Sequence, residues 1–231
     1  MIGMLVLLSA ATMTPATAVR INKIQSMPST TMEIYHPQSI AAGYVYNPGL
    51  GYLTDSDFQY GFVAEAEAAQ ENYPHTTAYS NEKTDGNQLS NGFRIHQKEI
   101  QFIMQEPMND STQAAGNAQN DIHFRIQSGQ PTVELRVTLD YYCNLFAYSN
   151  CVSEGKITLR YYDQNYNIQE RNFDFSGNST QQNTIKFNMT VPRTFNGFFE
   201  LRTSGSVETG NILVLSYAGS WVESTLTVTV A

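Results

Sequence analysis

The stretch Thr132-Val-Glu-Leu-Arg-Val-Thr-Leu-Asp-Tyr-Tyr142 decides the fold. In it Val133, Leu135, Val137, Leu139 and Tyr141 alternate with Glu134, Arg136, Thr138 and Asp140. Successive side chains of an extended chain point to opposite faces, so this period of two makes one apolar and one polar side. The same pattern returns in Ile157-Leu159-Tyr161, Ile185-Phe187-Met189-Val191 and Leu226-Val228-Val230. Turn-forming clusters separate the runs every roughly eight to twelve residues, the rhythm of an antiparallel β-sandwich or barrel.

Working outward, the sequence predicts strands at 92–105, 121–127, 132–142, 155–163, 168–175, 184–191, 198–203, 211–217 and 224–230. Helical patterns do not interrupt them, so the expected class is all-β: two packed antiparallel sheets, a jelly roll in connectivity. Tyr162-Asp-Gln-Asn-Tyr-Asn167 reads as a hairpin turn, and Gln105–Asn120 as a polar connection. Upstream, Asn47-Pro-Gly-Leu-Gly51 is a turn flanked by Tyr44-Val45-Tyr46 and Tyr52-Leu53, which suits a hairpin within an otherwise irregular stretch at 12–60. Phe62–Asn72, rich in Ala and Glu, predicts a surface helix, and 73–92 a long polar loop. The domain reading is an extended N-terminal arm at 1–30 and one sandwich domain at 31–231, with its strand-rich core at 93–231.

The arm opens on the apolar run MIGMLVLLSAA (residues 1–11). Ala16-Thr17-Ala18 has the small-x-small form of a leader cleavage site, but no Lys or Arg precedes the apolar run. A retained arm inserted into a neighbouring subunit is the preferred reading, and a cleaved leader peptide the other. The run is too short for a membrane span, which needs about 20 apolar residues.

Composition narrows function by exclusion. Charged residues are 15% of the chain, against roughly 25% in ordinary soluble domains. Tyr, Asn, Gln, Ser and Thr take their places, a surface suited to a virion, to the extracellular space or to cover by neighbours. The net charge of -8 and the absence of any Lys/Arg cluster weigh against direct nucleic-acid binding.

No motif marks a reaction centre. His36, His75, His96 and His123 form no HxH or HExxH pair, and neither a G-x-S-x-G elbow nor a phosphate loop occurs. The expectation is therefore a protein that is not an enzyme and needs no cofactor. Asp55-Ser56-Asp57 resembles a fragment of a calcium loop, but the following Gly and distal Glu are missing. A solvated turn is the better reading, with a structural Ca²⁺ as a weak alternative. Cys143 and Cys151 either close a disulfide around the intervening loop or remain free.

Aromatic residues crowd the strand ends. Tyr142, Phe146, Tyr148, Tyr162, Tyr166 and Trp221 are the candidates for a protein interface or for stacking on sugar rings. Tyr141 and Tyr161 should face opposite to Tyr142 and Tyr162, placing one ring of each pair in the core. Asn109, Asn178 and Asn188 head N-x-S/T sequons and would carry glycans if the chain met a glycosylating pathway.

In outline the strand pattern resembles jelly-roll coat proteins, although no family motif is matched. The expectation is a structural, self-assembling subunit of a virion coat, filament or surface layer, whose partners are copies of itself and other structural subunits. The alternative is a secreted carbohydrate-binding module, with glycans as partners. Ser224–Ala231 (STLTVTVA) would invite pairing if it lay at a sheet edge.

Overall fold

The computed structural model describes residues 29–72, 76–107, 110–210 and 214–231. The apolar run and cleavage-like triplet of the arm therefore lie outside the described residues. The described residues form ten strands: β1 (Thr31–Asn47), β2 (Gly51–Tyr60), β3 (Ala64–Asn72), β4 (Thr76–Leu89), β5 (Gly92–Gln105), β6 (Gln113–Tyr148), β7 (Cys151–Tyr162), β8 (Ile168–Ser176), β9 (Ser179–Thr209) and β10 (Ser216–Val230). Every pairing is antiparallel.

One long ribbon organises the rest. β6 and β9 pair over 113–127 with 194–208 and again over 132–145 with 179–192, with a register break between Gln127 and Thr132. Gly129, Pro131 and Pro192 sit at the break, and proline cannot donate to a ladder. The ribbon bends there and serves two layers. Layer A runs β2–β1–β6–β9–β7–β8 through the 113–127 and 194–208 halves. Layer B runs β3–β4–β5–β10–β6–β9 through the 132–148 and 179–192 halves. The order does not by itself assign a jelly roll.

Between the layers lies a core with three zones. At one end Phe93, Ile95, Ile122, Phe124, Leu139, Phe195, Phe199 and Leu226 are wholly or almost wholly buried. Toward the other end Val45, Ala68, Ala78, Ile103, Ala114, Val207 and Ala218 form a smaller, alanine-rich cluster. A polar belt separates them. Ser39, Ser80, Glu82, Thr84, Gln97, Glu99, Gln101, Asn120, Thr203, Ser220 and Ser224 are all buried.

Four glycines make room for that belt. Gly43, Gly116, Gly205 and Gly155 are successive register partners across β1, β6, β9 and β7. A Cβ at Gly43 or Gly116 would overlap the Glu82 carboxylate, one at Gly205 the Gln101 amide, and one at Gly155 the Val222 methyl. Layer A thus offers a side-chain-free trough into which layer B inserts its longest polar groups. Hydrogen bonds cross there: Gln97 Nε2 donates to the Leu201 carbonyl (2.9 Å) and to Asn120 Oδ1 (2.8 Å), and Ser153 Oγ to the Gly219 carbonyl (2.7 Å).

Several expectations need correction. The 62–72 segment is not a helix: 64–72 is strand β3. Ala64, Ala66 and Ala68 are buried while Glu65 and Glu67 are exposed, so the A-E-A-E-A alternation prevails over the helix propensity of its residues. The 73–92 loop is largely strand β4, pairing with β5 along its whole length. The polar connection at 105–120 ends at Thr112, where β6 begins its run. Strands begin at Thr31 rather than near 93, and β1–β2 form the hairpin read from Asn47–Gly51. The C-terminal strand is no edge; β10 lies between β5 and β6.

The Asp55-Ser56-Asp57 triplet is not a turn either, since it belongs to strand β2. Its carboxylates cover the outer edge of β3: the Glu67 amide donates to Asp55 Oδ2 (2.9 Å) and the Glu65 amide to Asp57 Oδ2 (3.2 Å). Edge donors that would template another strand are capped by side chains. Replacing both aspartates with alanine should strip hydrogen-exchange protection from the Glu65 and Glu67 amides and leave β5 and β10 protected. Gly116→Ala should cost about 1–3 kcal/mol in chemical denaturation through overpacking. Part of that loss should return when Glu82→Ser removes the opposing carboxylate, a coupling that a double-mutant cycle reads directly.

Candidate interaction surface

The outer faces of the two layers differ in chemistry. On layer A the outward residues of β7, β8 and β9 are charged: Arg160 pairs with Glu170 (2.7 Å) and Glu200 (3.6 Å), and Lys156 with Asp174 (3.5 Å). On layer B the outward residues toward one end of β5, β6 and β10 are apolar and aromatic. Tyr217 of β10 stands opposite Tyr148 of β6 on one side and Met104 of β5 on the other. Tyr148 and Tyr217 stack with centroids 5.1 Å apart and planes 14° from parallel. The Phe146 ring covers Gly219, its register partner, where any side chain would collide with it.

Further along the same face, Tyr142 and Trp221 meet edge to face at 5.7 Å. The Lys98 ammonium sits 5.1 Å from the Trp221 ring, an attraction to the π face. Trp221 Nε1 donates to Glu223 Oε2 (3.3 Å), and Glu223 Oε1 lies 3.4 Å from His96 Nε2. The indole is therefore held by a cation on its face and a carboxylate at its N–H.

These rings remain in contact with solvent: Tyr148 is 55% exposed, Met104 41%, Trp221 and Tyr217 39% each, and Phe146 38%. Contiguous exposed apolar area on a rigid sheet face marks an interaction site more often than scattered exposed residues do. Beside it, Asp140, Tyr142, Gln182, Asn183, Thr184, Glu223 and Thr225 line a shallow recess of about 220 Å³.

Four of the six aromatic candidates, Tyr142, Phe146, Tyr148 and Trp221, thus share one face. Tyr162 and Tyr166 do not join them. They lie at the opposite end on layer A, where Tyr162 packs on Phe198 (5.4 Å) and Tyr166 on Phe195 (5.3 Å). Tyr166 occupies the β7–β8 turn at φ 63°, and the turn is pinned by Asp163, which accepts the Asn165 and Asn167 amides (2.8 and 2.9 Å). Those hydrogen bonds, that of Asn167 foremost, hold the Asp163 carboxyl below its usual range. Tyr141 and Tyr161 turn inward and Tyr142 and Tyr162 outward.

The sequence reading missed a second aromatic group. Tyr46 and Tyr52 meet at 4.6 Å across the β1–β2 hairpin, with Phe58 and Tyr60 further along β2 at 5.3 Å. It also missed Met104 and Tyr217. The available signal was register: each stands directly opposite a residue already singled out or in contact with one, which only the strand pairing reveals.

The remaining candidates fall elsewhere. Asn178 lies in the β8–β9 turn, where its Oδ1 accepts the Ala147 amide (2.5 Å). Asn188 lies outward on β9, and its Nδ2 donates to Glu134 Oε1 (3.1 Å). Asn109 is outside the described residues. Among the described residues no group of three or more His, Cys, Asp and Glu is placed to hold a metal ion, and no helix is long and apolar enough to cross a membrane.

Cys143 and Cys151 are free thiols, not a disulfide. Cys143 lies five residues before the β6–β7 turn and Cys151 immediately after it. The strand between them spans roughly 16 Å, beyond the reach of a bridge. Burial pushes the Cys143 thiol up to about 12. It raises Cys151 as well, against hydrogen bonds from Ser216 and the Tyr148 backbone. In the native protein a thiol-reactive chromogen should therefore label Cys151 slowly and Cys143 only after unfolding.

What fold and surface define is a class: an antiparallel β-sandwich with a band of exposed rings on the outer face of layer B. No family model matches the chain, and no curated protein matches it. Among solved structures, a chain of infectious bursal disease virus strain Gx aligns over 88% of this chain and 80% of its own, at 9% identity and TM-score 0.19. A chain of strain Gt aligns over 91% and 82%, at 6% identity and TM-score 0.19. The VP2 subviral particle of the same virus aligns over 87% and 66%, at 7% identity and TM-score 0.19. Likeness at this level assigns nothing to this chain.

Proposed function

We propose that this chain is a structural, non-enzymatic subunit that associates with copies of itself, and that the aromatic outer face of layer B is the surface it uses. The observation that carries this reading is the exposed band of Met104, Phe146, Tyr148, Tyr217 and Trp221 on three adjacent strands. Strands with neighbours on both sides hold β5, β10 and β6 in place, so the rings are presented without an ordering cost on binding. Aromatic residues of this kind supply most of the energy in protein interfaces. The low content of charged residues is consistent with a particle surface in a virion or outside the cell, where other copies or other structural subunits cover this face.

A second reading is favoured by one specific observation. The recess places the Tyr142 ring, against which Trp221 packs edge to face, next to the carboxylates of Asp140 and Glu223 and the amides of Gln182 and Asn183. Such a combination suits a sugar ring, stacked below and hydrogen-bonded at its hydroxyls. A carbohydrate-binding module would use this end of the same face.

Light scattering of the native protein, with intact mass measured alongside, separates the readings. Self-association should give a species many times the chain mass. Trp221→Ala combined with Tyr217→Ser should weaken the association at least tenfold, about 1.4 kcal/mol, with little change in melting temperature. A monomer that binds a glycan array through Tyr142 and Trp221 would establish the second reading and end the first.

A further inference from the structure

The polar belt contains a feature that neither proposed function uses. Glu82 of β4 and Glu99 of β5 are direct register partners, and both are wholly buried between the layers. Ser80 Oγ donates to Glu82 Oε1, and Gln101 Nε2 lies 3.3 Å from both Glu82 Oε1 and Glu99 Oε2. Glu82 Oε2 and Glu99 Oε1 are left without a partner. Two adjacent carboxylates thus share one neutral amide donor in a site sealed from water.

Among the described residues no cation enters the belt. Every residue that β1, β6, β9 and β10 turn toward the pair is uncharged, such as Gly43, Gly116, Thr203 and Ser224. The charged groups that reach Glu82 electrostatically are Asp55 of β2 and Glu67 of β3, both of its own sign. Arg202 of β9 acts on Glu99, but from the exposed outer face of layer A. A pair of buried anions without a countercharge costs far more than a pair of neutral acids. Donors already occupy one oxygen of each carboxyl, and one free oxygen on each remains to carry a proton.

We propose that Glu82 and Glu99 form a proton-loaded latch between the layers: the fold is held while the pair carries its protons and loosens when both carboxyls ionise. Burial pushes Glu82 up to about 7 and Glu99 well above the usual carboxylate range, outweighing the hydrogen bonds from Ser80, Gln101 and the Ala118 backbone. Because each folded value lies above the unfolded one, the native state binds more protons than the unfolded chain through this window. Stability is then fully present below the ordinary carboxylate value. It is lost as the pH rises through about 7 and beyond. This is the opposite of acid denaturation, and it holds for the single chain whether or not copies associate.

Thermal melts of the full chain from about pH 5 to about pH 8.5, in chelated buffer, test the latch. Wild type should lose roughly 5–10 °C more over that range than Glu82→Gln/Glu99→Gln, which cannot ionise at either position. Each single variant should fall between them. Parallel curves would overturn the proposal. So would a rise of several degrees in wild type, absent from the double variant, when millimolar calcium chloride is added at the alkaline end, because the pair would then be a cation site. If the double variant does not fold, infrared spectra of wild type decide the matter. A protonated carboxylic acid band at neutral pH, diminished in Glu99→Gln, supports the latch, and its absence sinks it.

Discussion

The structure depends on a place where side chains are missing. Gly43, Gly116, Gly205 and Gly155 lie in one row across four strands of layer A. Stacked sheets stand about 10 Å apart, a gap normally filled by interdigitating apolar groups. Here the trough admits Glu82, Gln101 and Val222 from layer B, so the middle of the sandwich is built from long polar groups instead. A glycine in a strand gives up packing and entropy, and four in register give up a good deal. What the fold gains is a set of hydrogen bonds that run from one layer to the other and fix their register.

That choice divides the interior. The large-residue zone around Phe93, Phe124 and Phe199 makes stacked and edge contacts at 5.9–6.0 Å and supplies most of the apolar burial. The alanine-rich zone at the far end buries little per residue. Its strands are held by backbone ladders and by polar contacts such as Asn47 Nδ2 to Thr76 Oγ1 (2.7 Å) and Thr209 Oγ1 to Gln105 Oε1 (2.5 Å). Aromatic bulk that would ordinarily fill such an interior sits outside, on the faces of layer B and of the β1–β2 hairpin. Exposing rings on central strands while capping the β3 edge with Asp55 and Asp57 directs contact toward a face and away from strand addition.

Much of the architecture was legible because it follows from local chemistry. The turns at Asn47–Gly51 and Tyr162–Asn167 and the alternation of β6, β7 and β10 needed no partner to be read. Ala64–Asn72 was misread because Ala and Glu are good helix formers, and because a strand that buries only alanines lacks the branched residues that advertise one. The signal was present in the strict alternation of Ala64, Glu65, Ala66, Glu67 and Ala68. β4 was missed for a related reason: its buried face is Ala78, Ser80, Glu82 and Thr84, which reads as solvent-facing. Parity held the clue to the belt, since Gln97, Glu99 and Gln101 share a face with Phe93, Ile95 and Ile103.

The sequence by itself determined the class of fold, the positions of most strands and the presence of an aromatic set at the strand ends. Period-two patterning and turn residues act over a few neighbours, so they are readable along the chain. Tertiary structure alone decided which of two polar faces is buried, which glycines line up, and which rings come together. Those outcomes depend on the register between strands that can lie more than a hundred residues apart in the chain, as β5 and β10 do. A carboxylate such as Glu82 looks the same in sequence whether it meets water or a glycine of the facing sheet.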